Sequence, residues 1–515
     1  MIDLSRSRWS PFAHQIIGVQ AIVNNTFFLL ADEMGAGKTK QAIDAAQVLF
    51  LQGKINKVLT IAPAAVRGVW FHPERGELHK HLWTDLPVTV TEFHRQMDRW
   101  VHCKAASSMP FLDWTVTNYE YVRSGDYLEE ILEWVGPKTL LILDESSKIK
   151  NAQAKQTKAC MKIRAKCGRV LLLNGTPIAN SPGDMYSQGR IMHMGILECR
   201  NYFEFRARYA IMGGWQAKQI VGWRMLDDLQ QRFSPYVLRR LKKDCLDLPE
   251  KMPPVLLETP LSPALWRTYC DMRDEMVTWL SRDEVSVASH SIVKIMRLAQ
   301  ITSGFIGGVE AEQQEDFGDL PNYIETVVAP APRKKTEPMM IIGDEKLAQF
   351  LGWLEDALYE KPNLKFIVWC RFKPEAFRIM ATLKEKFPQI TAAGLYGSQS
   401  KAERDYVLDL LDPAKTVPGP ACAIATLGTG SIGLTLTAAD TNYYISLNQS
   451  LLDLDQSRDR THRPTQVNAV SYFYALATGP KGQKTIDHIL FKQLEKKEDL
   501  AKMTAGAWVK ALTEE

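Results

Sequence analysis

FFLLADEMGAGKTKQAIDAAQVLF (27–50) reads as a buried strand, a glycine-containing turn and a helix, in that order. Phe27–Leu30 is an unbroken apolar run, of the kind that sits in a parallel sheet covered on both faces. Backbone N–H groups at a helix N-terminus attract an anion, so the turn predicts a phosphate site. In that reading Gly35, Ala36 and Gly37 cradle the phosphates of ATP, Lys38 reaches the β- and γ-phosphates, and the Thr39 hydroxyl ligates Mg²⁺. Asp32 departs from the strict phosphate-loop pattern, which begins with glycine. A chance glycine-rich turn is the competing reading, and GKT set between a strand and a helix counts against it.

Working outward, KVLTIAP (57–63), TLLILDE (139–145) and RVLLLNGTP (169–177) are further inner strands, with helical segments such as Thr39–Leu51 between them. This is the pattern of a doubly wound α/β lobe. It stops near residue 180, where Met, Tyr, Trp and Arg recur at helical spacing and predict a helical insertion over about 181–245. The proline-rich LPEKMPP (248–254) divides the chain into lobes over 1–250 and 251–515. In the second lobe, 262–303 reads as long helices and 306–340 as a loose Gly-, Glu- and Pro-rich loop, together a protrusion over about 262–340. FIVW (366–369), a helix over Pro374–Phe387, ACAIATL (421–427), TNYYISL (441–447) and AVSYFYAL (469–476) then restart the α/β alternation. A length of 515 residues agrees, being too long for one ordinary core.

Composition excludes some classes. Apolar residues are 45% and charged residues 24%, ordinary for a globular protein. A net charge of +4 is mild, so any nucleic-acid surface must be a local patch. The eight cysteines include no C-x-x-C pair, which predicts single thiols in a reducing compartment and no structural zinc. The start MIDLSRSRWS lacks a signal-peptide core, and no apolar run reaches the roughly 18 residues that span a bilayer, so the expected setting is cytoplasmic, bacterial or phage-infected, without a membrane.

Two more segments carry chemistry. LILDES (141–146) is an apolar strand ending in two carboxylates; Asp144 is placed to hold Mg²⁺ and Glu145 to orient and deprotonate the attacking water. A solvated acidic strand end is the bland alternative, weakened by the upstream GKT. QSRDRTHR (456–463) sets Gln456, Arg460 and Arg463 at i, i+4 and i+7, one face if the segment is helical throughout. Two arginines on one face suit an arginine finger that neutralises charge on the transferred phosphoryl group. Alone, an R-x-x-R would be a solvated helix. GTGSIGLTL (428–436) can bring backbone amides to a phosphate, of ATP or of nucleic acid.

The order and content of these motifs resemble the Swi/Snf-type branch of superfamily-two helicase-like ATPases, over about residues 10–500. PFAHQIIGV (11–19) is similar to the family's adenine-reading motif, which implies Gln15 as the adenine contact. IAPAAVRGVW (61–70) and TNYEYV (117–122) resemble its nucleic-acid-facing motifs. DESSKIKN (144–151) stands where the family carries a DEAH-type box, with Ser147 in place of the coupling histidine, and NGTPIANSP (174–182) resembles the coupling motif, implying a role for Thr176. The last two core motifs imply Gly433 and Gln456 at the nucleotide and Thr429 at nucleic acid. PYVLRRLKKDCLDLPEK (235–251) is the branch-specific block; its Arg239, Arg240, Lys242 and Lys243 would widen a nucleic-acid track, or form a solvated basic surface. TIDHILFKQLEKK (485–497) resembles the closing brace helix, and NGTPIANSPGDMYSQ with GGW (213–215) is most similar to the group holding annealing helicases and compact phage or bacterial members.

The resemblance implies two RecA-like, doubly wound parallel-sheet lobes with helical insertions between and within them, and an ATP site divided between the lobes. It implies a monomeric, ATP- and Mg²⁺-dependent motor that translocates on duplex or branched DNA, RNA remaining open as a partner. A strand-separating helicase and a non-catalytic nucleic-acid-binding scaffold are the alternatives; Lys38, Asp144, Glu145, Arg460 and Arg463 argue against the scaffold.

Overall fold

The long apolar runs become the inner strands of two sheets, one in each half of the chain. The computed structural model describes residues 2–93, 98–102, 110–175, 182–213, 219–282, 296–307, 339–397, 399, 401–431 and 435–502. The chain divides into two compact units, one of Met1–Asp247 with Asp499–Glu515 and the other of Leu248–Glu498.

In the first unit the strands are β1 (Phe27–Leu30), β2 (Lys57–Ala62), β3 (Val88–Glu92), β4 (Asp98–Val101), β5 (Leu112–Asn118), β6 (Thr139–Leu143) and β7 (Arg169–Leu173), then a hairpin of β8 (Ala210–Gly213) and β9 (Gln219–Trp223), then β10 (Val237–Leu238). All but the hairpin form one sheet in the order β10-β1-β7-β6-β2-β5-β3-β4. Every neighbouring pair in it is parallel except β3–β4. Helix α1 (Ala13–Asn24) precedes β1 and helix α2 (Lys38–Leu51) follows it. Ala42, Ala45 and Ala46 of α2 are fully buried, small enough for the helix to settle closely on its neighbours.

The insertion after residue 180 differs from a purely helical one. It holds helices Asp184–Met192, Tyr202–Tyr209 and Leu226–Phe233, but also the antiparallel β8–β9 hairpin, and Val237–Leu238 joins the main sheet beside β1. Aromatic and β-branched residues serve strand packing as readily as helix packing; here Trp223 of the hairpin packs on Phe205 of the helix.

In the second unit β11 (Val255–Pro260), β14 (Lys365–Cys370), β15 (Thr391–Leu395), β16 (Ala421–Thr426), β17 (Thr441–Tyr444) and β18 (Ser471–Thr478) form a parallel sheet in the order β11-β18-β17-β14-β16-β15, while β12 (Phe305–Ile306) and β13 (Met340–Ile341) form a separate antiparallel pair. Pro260 is tolerated because β11 is an edge strand. A 20-residue helix covers Pro263–Arg282, and the loose loop expected over 306–340 lies mostly outside the described residues. Each unit is therefore a doubly wound α/β lobe of RecA-like type. Such sheets bind ligands at the carboxyl ends of their strands, where the motifs lie.

Candidate nucleotide site

The turn after β1 takes a shape that requires its glycines. Gly35 and Gly37 have φ of 79° and 78°, a left-handed backbone that residues with a Cβ adopt at a cost. Gly37 is the N-cap of α2. A Cβ there would also lie 2.3 Å from Gln15 Nε2, so Gln15 packs directly on the loop. Gln15 Oε1 is occupied by the Phe12 N–H at the start of α1, which leaves Nε2 as the end turned to the loop. The adjacent His14 bonds the Ala36 carbonyl through Nε2 at 2.9 Å. Lys38 folds back on its own loop and donates to the carbonyls of Asp32 (2.7 Å) and Glu33 (3.3 Å).

Asp32 has a purpose that the loop alone does not reveal. It is fully buried and accepts Arg240 Nε at 2.9 Å and Gln41 Nε2 at 3.1 Å, while Arg240 Nη2 closes the ion pair. Arg240 also donates to the His14 carbonyl and to Gln41 Oε1. The chain around it runs beside the loop: Ala31 N–H bonds Leu238 O, Glu33 N–H bonds Arg240 O, and Lys242 N–H bonds Glu33 Oε2. Arg240 and Lys242 are thereby corrected from nucleic-acid track to loop support, since the Arg240 guanidinium is spent on Asp32 and Lys242 is 2% exposed. Arg239 is half-buried; Lys243 alone of the four is exposed. Arg240→Ala strands a buried carboxylate and is expected to destabilise the first unit by about 3–5 kcal/mol. The shift in its urea-unfolding midpoint measures this, and a shift below about 1 kcal/mol would contradict the clamp.

The carboxylates follow β6. Asp144 Oδ2 accepts the Trp70 indole N–H at 2.7 Å, Oδ1 accepts the Glu145 N–H at 3.0 Å, and its carbonyl accepts the Tyr119 hydroxyl at 2.8 Å. Burial raises the Asp144 carboxyl above its ordinary value, offset by the Trp70 hydrogen bond, the Lys38 charge and the Glu145 N–H. Burial likewise raises the Tyr119 phenol well above its usual range, so it remains a donor. β1 and β6 both run parallel to the β7 strand between them, so the loop after β1 and the carboxylate after β6 stand at the same end of the sheet. Glu145 sits at φ 48° and ψ 57°, one of three non-glycine residues with positive φ among those described. That conformation costs about 1–2 kcal/mol, strain of the kind that collects at functional sites. The Thr39 hydroxyl and Asp144 carboxylate are hard oxygen donors suited to Mg²⁺, which takes few protein ligands besides phosphate and water. Each Asp144 oxygen accepts one hydrogen bond and keeps a lone pair for it.

One residue not singled out in the sequence reading, Gln188, joins the coupling segments. Gln188 Oε1 accepts both Ser146 Oγ (2.8 Å) and Asn174 Nδ2 (3.4 Å), tying the carboxylate box to the strand end after β7. Ser147 is buried, and its hydroxyl has no hydrogen-bond partner among the described residues. Thr176 and Gly433 lie outside the described residues.

On the second unit the helix Leu451–Thr461 carries Gln456 and Arg460, 3% and 6% exposed. Gln456 Oε1 has no partner among the described residues, a buried acceptor of the kind a ligand satisfies. Arg463 does not share that helix: the helix ends at Thr461, and Arg463 is held in the following turn by Asp459 O (3.0 Å) and Thr435 Oγ1 (2.8 Å). Pro464 explains the break, because the residue before a proline is pushed out of helical geometry. Thr429 is half-buried, and its hydroxyl lies 2.7 Å from the carbonyls of both Leu395 and Thr426, bracing a short turn.

A family model described as the SNF2-related domain matches residues 14–303, and one described as the helicase conserved C-terminal domain matches residues 346–465. The chain is 24% identical over 498 residues to the SWI/SNF-related matrix-associated actin-dependent regulator of chromatin subfamily A-like protein 1 homolog of Caenorhabditis elegans, covering 95% of this chain and 61% of that protein. It is 22% identical over 506 residues to the TATA-binding protein-associated factor MOT1 of Saccharomyces cerevisiae, covering 90% of this chain and 26% of that one. The chain thus spans less than two thirds of either curated relative. Among solved structures, the Sulfolobus solfataricus SWI2/SNF2 ATPase core in complex with dsDNA is 22% identical, with a TM-score of 0.40 and coverage of 99% of this chain and 98% of that one.

Proposed function

The chain belongs to the SNF2-related family of helicase-like ATPases, and from that premise we propose that it is an ATP-dependent translocase on duplex DNA. One observation carries the reading: a phosphate loop shaped by left-handed glycines, and Asp144 with the left-handed Glu145, stand at the same end of one parallel sheet. The loop amides and Lys38 bind the triphosphate, and Gln15 turns its amide toward the loop beside them. Thr39 and Asp144 hold Mg²⁺, which neutralises charge on the phosphates when bound. Glu145 orients and deprotonates the attacking water. Arg460 and Arg463 are the residues with the chemistry to neutralise charge on the transferred phosphoryl group. Loss of the γ-phosphate contact then releases one grip on DNA before the other. Contacts to the DNA backbone make binding salt-dependent and largely indifferent to sequence.

The likeness of 235–251 to the block specific to the Swi/Snf branch supports translocation on duplex DNA as the outcome. Displacement of the third strand from a triplex tests this. With ATP the protein is expected to strip a triplex-forming strand and to leave an overhang-bearing duplex paired. Unwinding of the overhang duplex without triplex displacement would transfer the assignment to a strand-separating helicase.

A further inference from the structure

Asp144 directly follows β6, a strand whose neighbours on one side are β2 and then β5. The segments after β2 and β5 both return to Asp144. After β2 comes the helix Ala64–Phe71, which places the fully buried Trp70 against Asp144 Oδ2 at 2.7 Å. After β5 comes Tyr119, 2% exposed, with its hydroxyl 2.8 Å from the Asp144 carbonyl. One aromatic donor fixes the carboxylate and the other fixes the backbone that carries it. Both belong to the segments read as nucleic-acid-facing, IAPAAVRGVW and TNYEYV. Each segment also has an outer side: Ala64 and Gly68 are exposed on one, Glu120 and Arg123 on the other. They are joined by Arg67, which pairs with Glu92 at 2.6 Å and lies 5.8 Å from the Tyr121 ring centroid. A buried indole has one polar atom to satisfy, and this one satisfies it on a carboxylate. Ser147, three residues beyond Asp144, offers no comparable link, since its hydroxyl meets no partner among the described residues.

We propose that Trp70 and Tyr119 are positioning residues that carry nucleic-acid engagement of the first unit to Asp144. A ligand that shifts either outer surface shifts an aromatic donor, and with it the carboxylate that holds the metal. The inference rests on the reading of the chain as a DNA-stimulated ATPase.

The test uses the full chain with Trp70→Phe and Tyr119→Phe. Each keeps a buried ring and removes one donor. Three quantities are measured: duplex affinity, the ratio of duplex-stimulated to basal ATPase, and Mn²⁺ affinity of the complex with a non-hydrolysable ATP analogue, read by electron paramagnetic resonance with and without duplex. Removing a residue that orients a metal ligand typically costs about 10–100-fold. Trp70→Phe is expected to weaken Mn²⁺ binding and to lower the stimulation ratio by about tenfold or more, with duplex affinity little changed. Tyr119→Phe is expected to lower the ratio in the same direction, and serves if Trp70→Phe does not fold. Wild-type stimulation ratios and Mn²⁺ affinities in the folded variants would overturn the proposal, as would a loss of duplex affinity in step with the loss of stimulation. If the wild-type protein shows no stimulation at all, the reading as a DNA-dependent ATPase falls, and this inference with it.

Discussion

Lys38→Ala is expected to eliminate ATP hydrolysis, a loss of at least about 10³-fold, with the fold intact. The size follows from the position. Lys38 is the first residue of α2, directly after a loop with two left-handed glycines, and successive amides in such turns form concavities suited to an anion. Its ammonium rests on two loop carbonyls, those of Asp32 and Glu33, at the place a triphosphate would draw it from. Removing one preorganised group that stabilises developing charge costs about 10²–10³-fold in turnover. A lysine that also binds the ground state loses more. Lys38 is half-buried and its bonds are to loop carbonyls, so circular dichroism and the unfolding midpoint should be nearly unchanged. Steady-state hydrolysis with saturating nucleic acid is the check, and retained stimulated turnover would remove the loop from the account.

Arg463→Ala is expected to reduce kcat by about 10³–10⁵-fold, the range for an arginine finger, with a much smaller effect on nucleotide affinity. Arg463 lies in a turn, but it is not loose. Asp459 O and Thr435 Oγ1 hold two of its nitrogens, so the guanidinium plane is set before any nucleotide arrives. Preorganised charge of this kind acts where charge develops in the transition state. Single-turnover hydrolysis and equilibrium binding of a fluorescent ATP analogue separate the two effects. Equal losses in both would make Arg463 an ordinary binding residue.

The parts of this arrangement that were legible in the sequence are those with local signals. FFLL, KVLTIA, TLLIL and RVLLL announce inner strands because burial on both faces demands unbroken apolar runs. β15 (TAAGL) carries no such run; small residues fill a place between a helix and its neighbour strand, and only the neighbours make it a strand. Asp32 was visible as an oddity in the loop, but its explanation lies 208 residues away in Arg240. No local pattern distinguishes an arginine that faces DNA from one that faces a buried aspartate, so in the sequence the cluster of basic residues fits a track or a solvated surface equally. Trp70 and Tyr119 were concealed for the same reason. An aromatic residue beside a strand looks like core, and only the fold brings the indole N–H to a carboxylate. Arg463 is the opposite case: Pro464 was in plain view and already argued against a helix reaching it.

The central claim is a nucleotide site whose turnover depends on DNA. It is tested most directly by the ATPase rate of the wild-type chain with no nucleic acid, single-stranded DNA, duplex DNA, branched DNA and RNA, with Lys38→Ala as the blank. The account predicts strong stimulation by duplex or branched DNA, weak stimulation by RNA, and none in the blank. A rate indifferent to all four nucleic acids, or one raised by RNA alone, would contradict it.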